Sequence, residues 1–133
     1  MKILYPVAVV ICCSINAQAA IPTEVENAFV RYIELAQDLE PILAAAQDKD
    51  SAEANAKALY DILPRVYEAR TELLKIESLP RQVQDELIPK YGKVMQTEWG
   101  KVYEHIFRLE KNNCYHSLSF FKQFRALCMM LQQ

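Results

Sequence analysis

Two histidines lie among acidic side chains in the C-terminal half of the chain, and residues of these types can ligate a metal. His105 follows Glu98 by seven residues, a spacing that places both side chains on one face of a helix. The sequence has no His-x-x-x-His or Glu-x-x-His pair and no Cys-x-x-Cys-His motif for haem attachment. Glu98 and His105 are therefore the candidates for a metal site, and the sequence predicts no cofactor.

Hydrolytic catalysis would need a nucleophile, a general base and a third group that orients the base. Ser117 directly follows His116, but no nucleophile-elbow motif surrounds this pair and no third partner is recognisable. We therefore predict that the protein is not an enzyme.

Three states are possible for Cys114 and Cys128: an internal disulfide, an intermolecular disulfide, or two unpaired thiols. If both lie on one helix, fourteen residues separate their α-carbons by about 21 Å, whereas a disulfide allows about 7 Å. An internal bridge would need residues 115–117 to fold back as a loop. The alternatives are an intermolecular disulfide and two unpaired, buried thiols. The spacing excludes a thioredoxin-type Cys-x-x-Cys site.

The N-terminal residues have the pattern of a secretory signal peptide. Lys2 precedes an apolar run over residues 3–15, and Ala17-Gln18-Ala19 is a small-x-small cleavage site. We expect residues 1–19 to be removed and residues 20–133 to form a single domain. The apolar run is shorter than the roughly 20 residues that a membrane span needs, so no transmembrane span is predicted for the mature chain. The predicted location is the bacterial periplasm, with secretion as the alternative.

The composition favours helices and makes nucleic acid an unlikely partner. The 133-residue chain carries a formal net charge of −2, so it lacks the basic excess of nucleic-acid-binding proteins. It contains only two glycines, and residues from Thr23 onward are rich in strong helix formers. We predict an all-α fold without strands.

Capping patterns place the first two helices. Thr23 and Glu26 match a capping box that would begin the first helix. Asp50, with Glu53 three residues later, would cap a second helix that runs to about Glu77. Together they predict an antiparallel helical hairpin.

A third helix should begin at Pro80 and end at residues 112–113. Each of the three long helices contains an internal proline, at Pro41, Pro64 and Pro89, and each proline predicts a kink. The kinks would bend the helices around a small core or open a ligand groove. The predicted architecture is an antiparallel bundle of three long, proline-kinked helices plus a short C-terminal helix.

The C-terminal segment 117–131 is almost continuously apolar. Such a helix either fills the open side of the bundle or forms an interaction surface. That surface would pair with a partner or a second copy, or lie on a membrane with Lys122 and Arg125 at the headgroups. The candidate partner-binding residues are Phe120, Phe124 and Met129.

Two short motifs resemble a group of small exported bacterial helical proteins. The first is Asp48-Lys49-Asp50-Ser51-Ala52-Glu53-Ala54, which matches an Asp-x-x-Ser-Ala helical turn. The second is Cys114-Tyr115-His116-Ser117-Leu118, which matches an aromatic-Gly-Ser segment before a short apolar helix. The resemblance covers residues 48–125 and departs from the pattern at His116, where glycine is usual. It implies a helical hairpin and no established activity.

These features predict an exported, non-enzymatic helical protein that acts as a binding or envelope-associated interaction module. Its partner would be an unidentified protein or a second copy of the chain, bound through the C-terminal helix. The alternative is a periplasmic bundle that binds a ligand or metal near His105 and Glu98.

Overall fold

A computed structural model of the protein describes residues 21–76 and 79–132. The described residues form four α-helices and a short 3₁₀ turn and contain no strand, which confirms the all-α class. The predicted signal peptide lies outside the described residues. In the described ranges, no helix combines the length and apolar character needed to cross a membrane. The helices are α1 (Thr23–Ala45), α2 (Lys49–Leu74), α3 (Arg81–Lys111) and α4 (Leu118–Leu131), and the 3₁₀ turn is Asn113–His116.

Helices α1 and α2 pack against each other in opposite directions. Arg31 near the start of α1 pairs with Glu72 near the end of α2 at 2.6 Å, whereas Asp38, farther along α1, pairs with Arg65 at 2.9 Å. Both pairs are largely exposed, so each contributes little to stability. Because the pairing residue on α2 comes earlier as the one on α1 comes later, the two helices form an antiparallel hairpin.

Helices α1 and α3 run side by side in the same direction. Glu26 at the start of α1 pairs with Lys90 at 2.8 Å, and Glu40 near its end meets His105 at 3.2 Å. Between these pairs, the Trp99 ring stacks on Tyr32, and its indole N–H donates to the Tyr32 carbonyl at 3.1 Å. Helix α1 therefore lies between α2 and α3.

The core is built from apolar stripes of all four helices. Leu39 and Leu43 of α1, Leu59 and Val66 of α2, and Leu109 of α3 are fully buried. Helix α4 packs mainly against α2 and closes the core on the side away from α3. Covering these stripes is the main favourable term in forming the fold.

The start of α2 lies two residues earlier than predicted. Asp48, not Asp50, is the N-cap: its carboxylate accepts from the Ser51 backbone N–H at 2.8 Å, and the Ser51 hydroxyl accepts from the Asp48 N–H at 3.0 Å. The predicted N-cap at Asp50, with Glu53 as its partner, was wrong. Ser51 instead completes a reciprocal capping box with Asp48. The helix ends at Leu74, before the predicted Glu77.

The predicted capping box of Thr23 and Glu26 is also absent. Helix α1 does begin at Thr23, but Pro22 is its N-cap and no side chain caps it. The Glu26 carboxylate instead accepts hydrogen bonds from Lys90 and from the Tyr91 hydroxyl, both at 2.8 Å. A tertiary contact with a cation and a phenol therefore replaces the local cap.

Each long helix continues through its internal proline. Pro41 lies within α1, Pro64 within α2 and Pro89 within α3. Helix α3 is continuous from Arg81 to Lys111, so Pro89 does not divide the third element. Proline removes one backbone hydrogen bond at each position, but the flanking packing keeps the helix intact.

The turn between α3 and α4 has a left-handed backbone. Asn113, Cys114, Tyr115 and His116 have φ of 51°, 50°, 56° and 64°. Residues other than glycine pay roughly 1–2 kcal/mol each for this conformation. The turn reverses the chain and places Cys114 in the core.

Replacing His116 with glycine should stabilise the protein by about 1 kcal/mol, because glycine adopts positive φ without strain. The His116 side chain is exposed, so its loss removes little packing. Chemical denaturation followed by circular dichroism measures the change. His116→Ala is the matched control, since it removes the imidazole but keeps the Cβ and should give no gain. A loss of stability in His116→Gly would contradict the strain argument.

Candidate functional site

Glu98 and His105 both lie on α3, but their side chains have different partners. The Glu98 carboxylate accepts a hydrogen bond from Lys101 at 2.7 Å, which lowers the pKa of Glu98. The His105 Nε2 atom lies 3.2 Å from Glu40 Oε1. Within residues 21–76 and 79–132, no group of three or more His, Cys, Asp or Glu side chains could hold a metal ion.

His105 belongs to a chain of polar contacts centred on Arg108. An Arg108 Nη2 atom lies 3.2 Å from His105 Nδ1. Arginine can only donate, so Nδ1 accepts and Nε2 carries the proton donated to Glu40. Glu40 and Arg108 thus hold the two ring nitrogens of His105 between α1 and α3.

Arg108 joins three elements and was not singled out by its sequence pattern. Its guanidinium donates to the carbonyls of Leu43 and Ala46 at 2.9 and 2.8 Å and to the Tyr115 hydroxyl at 2.7 Å. The two carbonyls belong to the C-terminal end of α1, where helical carbonyls lack their usual i+4 amide partners. The Leu43 carbonyl also accepts from the Ala46 N–H at 3.3 Å. Arg108 therefore caps α1 and anchors the left-handed turn.

Both described cysteines are free thiols in the structure. Cys114 is buried and Cys128 is half-buried. Burial, with a smaller effect of Cys128, raises the pKa of Cys114 to about 11. Because the thiolate is the reactive form, Cys114 is a poor nucleophile at neutral pH.

Ser117 has a structural role at the start of α4. It is fully buried, and its hydroxyl accepts a hydrogen bond from the Phe120 backbone N–H at 3.3 Å. The adjacent His116 side chain is exposed. Ser117 is the N-cap of α4, a role consistent with its place directly before the apolar run.

The inner face of α4 contains two of the three predicted partner-binding residues. Phe120 is 0% exposed and Phe124 is 4% exposed, and their rings stack at 6.5 Å between centroids. With Leu127 and Leu131 they form the stripe that contacts the core. The structure therefore places Phe120 and Phe124 in the core rather than on a docking surface.

The opposite side of α4 is exposed and carries the third predicted residue, Met129. Leu118, Phe121 and Met129 are 79%, 40% and 59% exposed. Lys122 and Arg125 are exposed between them. The spacing of three and four residues aligns these side chains in one stripe. The outer face of α4 is defined by Leu118, Phe121, Lys122, Arg125 and Met129.

A groove runs along this outer face where α4 meets α2. It has a volume of about 660 Å³, and its walls include Ala56 and Tyr60 of α2 and Leu118 and Lys122 of α4. Tyr60 is 61% exposed, which adds an aromatic ring to the apolar surface. Aromatic and apolar side chains grouped in this way on a protein surface are typical of interaction sites.

Comparison with known protein families, curated proteins and solved structures gave no match to the chain. The functional assignment therefore depends on the geometry of these surfaces.

Proposed function

We propose that the protein is an exported, non-enzymatic binding module whose outer α4 face docks an acidic amphipathic segment of a partner protein. One observation carries this proposal: Lys122 and Arg125 stand among exposed apolar side chains, and among the described residues neither forms an ion pair. Helix α4 contains no acidic residue. An apolar stripe with two unpaired cations is complementary to an amphipathic helix that carries carboxylates.

The bordering surface favours a protein partner over an anionic membrane. Glu53 lines the groove beside Lys122, and Asp61 of α2 lies in the adjoining depression with Tyr60 and Met130. A flat anionic membrane would bring phosphates against these carboxylates as well as against the two cations, and like charges repel. A single helix can place its carboxylates only opposite Lys122 and Arg125 and so avoid Glu53 and Asp61. The groove is also concave, which suits inserted side chains of a helix.

The three long helices would serve as the scaffold for this face. In the proposed architecture they form an antiparallel bundle bent at Pro41, Pro64 and Pro89, with α4 held against α2. A rigid support keeps the spacing of Leu118, Phe121 and Met129 fixed before binding, which reduces the entropy lost on docking.

A pair of synthetic amphipathic helices tests the proposed charge preference. Both have leucine on one face, and the polar face is glutamate in one and lysine in the other. We expect the protein to bind the glutamate peptide about tenfold more tightly, a difference of about 1.4 kcal/mol. The variant Lys122→Glu/Arg125→Glu should reverse this order. Fluorescence anisotropy of labelled peptides measures both affinities.

The matched control is Lys93→Glu/Lys111→Glu, which reverses two exposed charges on α3 and should leave the peptide preference unchanged. Equal affinity for both peptides, or an effect of the control as large as that of the α4 variant, would contradict the proposal. So would a stable homodimer abolished by Met129→Glu, because a second copy would then occupy the face. Export is tested separately by the mass of protein recovered from a bacterial periplasm, which should begin at Ala20.

A further inference from the structure

Helix α3 has an exposed face on the side opposite its buried residues. Trp99, Val102 and Ile106 turn toward the core. A helix turns by about 100° for each residue, which places a second row of side chains on the far side. The residues of this row are exposed. The outer face of α3 is defined by Lys93, Thr97, Gly100, Glu104 and Lys111.

The charges of this face are complementary to themselves when the helix is reversed. Lys93 and Glu104 lie at equal distances on either side of a point between residues 98 and 99. Glu86, seven residues before Lys93, and Lys111, seven residues after Glu104, are symmetric about the same point. If a second α3 lay antiparallel across this point, Lys93 would meet Glu104 of the second copy, and Glu86 would meet its Lys111. A two-fold interface repeats each of these attractive pairs.

Within one copy of the chain these charges have no opposite charge to bind. Among the described residues, Glu86, Lys93, Glu104 and Lys111 form no ion pair. Lys93 and Glu104 are 11 residues apart, about 16 Å along the helix, so they do not reach each other in one molecule. The attraction between them is therefore available only to a second molecule.

The middle of this face allows a second helix to approach closely. A methyl group at Gly100 would meet no atom within 4 Å beyond the adjacent helix backbone, so packing in this fold does not require glycine there. Glycine is nevertheless less stable than alanine in a helix interior. Thr97 lies opposite Gly100 in the antiparallel pair, and small residues at the crossing point keep two helix axes close. Phe107, which is 65% exposed one turn after Glu104, would be covered by the second copy.

We propose that the outer face of α3 pairs with the same face of a second copy to form an antiparallel, two-fold dimer. Lys93 of each copy binds Glu104 of the other, with Gly100 and Thr97 at the crossing point. Each copy contributes one helix, so the interface is small and depends on exposed charges, and the dimer is weak and sensitive to salt. The contact is separate from the outer face of α4 and does not depend on the proposed partner binding.

Sedimentation velocity of the purified protein over a series of concentrations tests the proposal. We expect a monomer–dimer equilibrium whose dissociation constant rises about tenfold between low and high salt. Lys93→Glu and Glu104→Lys should each weaken the dimer about tenfold or more, because each places two pairs of like charges in the contact. Lys49→Glu, the same change at an exposed position on α2, is the matched control and should have no effect.

An equimolar mixture of the Lys93→Glu and Glu104→Lys variants locates the contact. In a mixed dimer the glutamate introduced at position 93 faces the lysine introduced at position 104, and the native Lys93 and Glu104 face each other, so both pairs attract again. We expect the mixture to dimerise with nearly the affinity of the unaltered protein, although each variant alone is largely monomeric. Lys122→Glu/Arg125→Glu should leave the dimer intact. An unaltered protein that remains monomeric at millimolar concentration, a mixture that sediments as monomers, or loss of the dimer in the α4 variant would overturn the proposal.

Discussion

Replacing Phe120 with alanine is expected to lower the free energy of unfolding by about 4 kcal/mol, the largest effect of any substitution considered. The Phe120 side chain is 0% exposed and lies in the core cluster that α4 shares with α2. Its removal loses the favourable free energy of burying an aromatic ring. It also leaves a cavity, because the left-handed turn before α4 limits how far the surrounding residues can move in to fill it. Guanidinium denaturation followed by circular dichroism measures the change.

Phe121→Ala is the matched control for this prediction. It makes the same chemical change one residue along the same helix, at a side chain that is 40% exposed on the outer face. We expect it to lower stability by less than about 1 kcal/mol. If the two substitutions had equal effects, the assignment of inner and outer faces of α4 would be incorrect.

This pair of phenylalanines also shows what sequence can establish about α4. Its apolar character predicted a helix that fills the open side of the bundle or forms an interaction surface, but Phe120 and Phe121 are the same residue type, so the sequence does not say which of them is covered. Residues 120, 124, 127 and 131 form one stripe and residues 118, 121, 125 and 129 another, so helical periodicity alone does not identify the stripe that contacts the core. Only the packing of α2 distinguishes them, and it buries Phe120 and Phe124 while leaving Met129 exposed.

Elsewhere, local signals predicted the elements and tertiary contacts altered their details. The scarcity of glycine and the abundance of helix formers predicted the all-α class, which the structure confirms. The predicted capping box of Thr23 and Glu26 was wrong, because the Glu26 carboxylate accepts a hydrogen bond from Lys90, 64 residues away. The left-handed turn carries no glycine signal, so its conformation at His116 was not predicted from local propensity.

Replacing Arg108 with methionine is expected to lower the free energy of unfolding by about 3 kcal/mol. Methionine keeps an apolar stem but removes the donors that serve the carbonyls of Leu43 and Ala46 and the Tyr115 hydroxyl. Both carbonyls at the end of α1 then lose a charged donor in a half-buried position. The Leu43 carbonyl keeps the Ala46 N–H, whereas the Ala46 carbonyl loses the compensation that Arg108 gives for its removal from water. The left-handed turn also loses a contact that holds it against α3. Chemical denaturation gives the free energy, and amide hydrogen exchange at Tyr115 and Ser117 should accelerate because the turn opens more often.

Two further substitutions separate the parts of the Arg108 effect. Tyr115→Phe removes only the hydroxyl partner, and its expected effect is about 1 kcal/mol. Arg108→Lys keeps the charge but loses the planar fork that reaches two carbonyls and a phenol at once, so it should recover less than half of the loss. If Arg108→Met were no more destabilising than Tyr115→Phe, the contacts to Leu43 and Ala46 would contribute nothing. The packing of α1 against α3 through residues such as Tyr32 and Trp99 would then suffice to hold the end of α1.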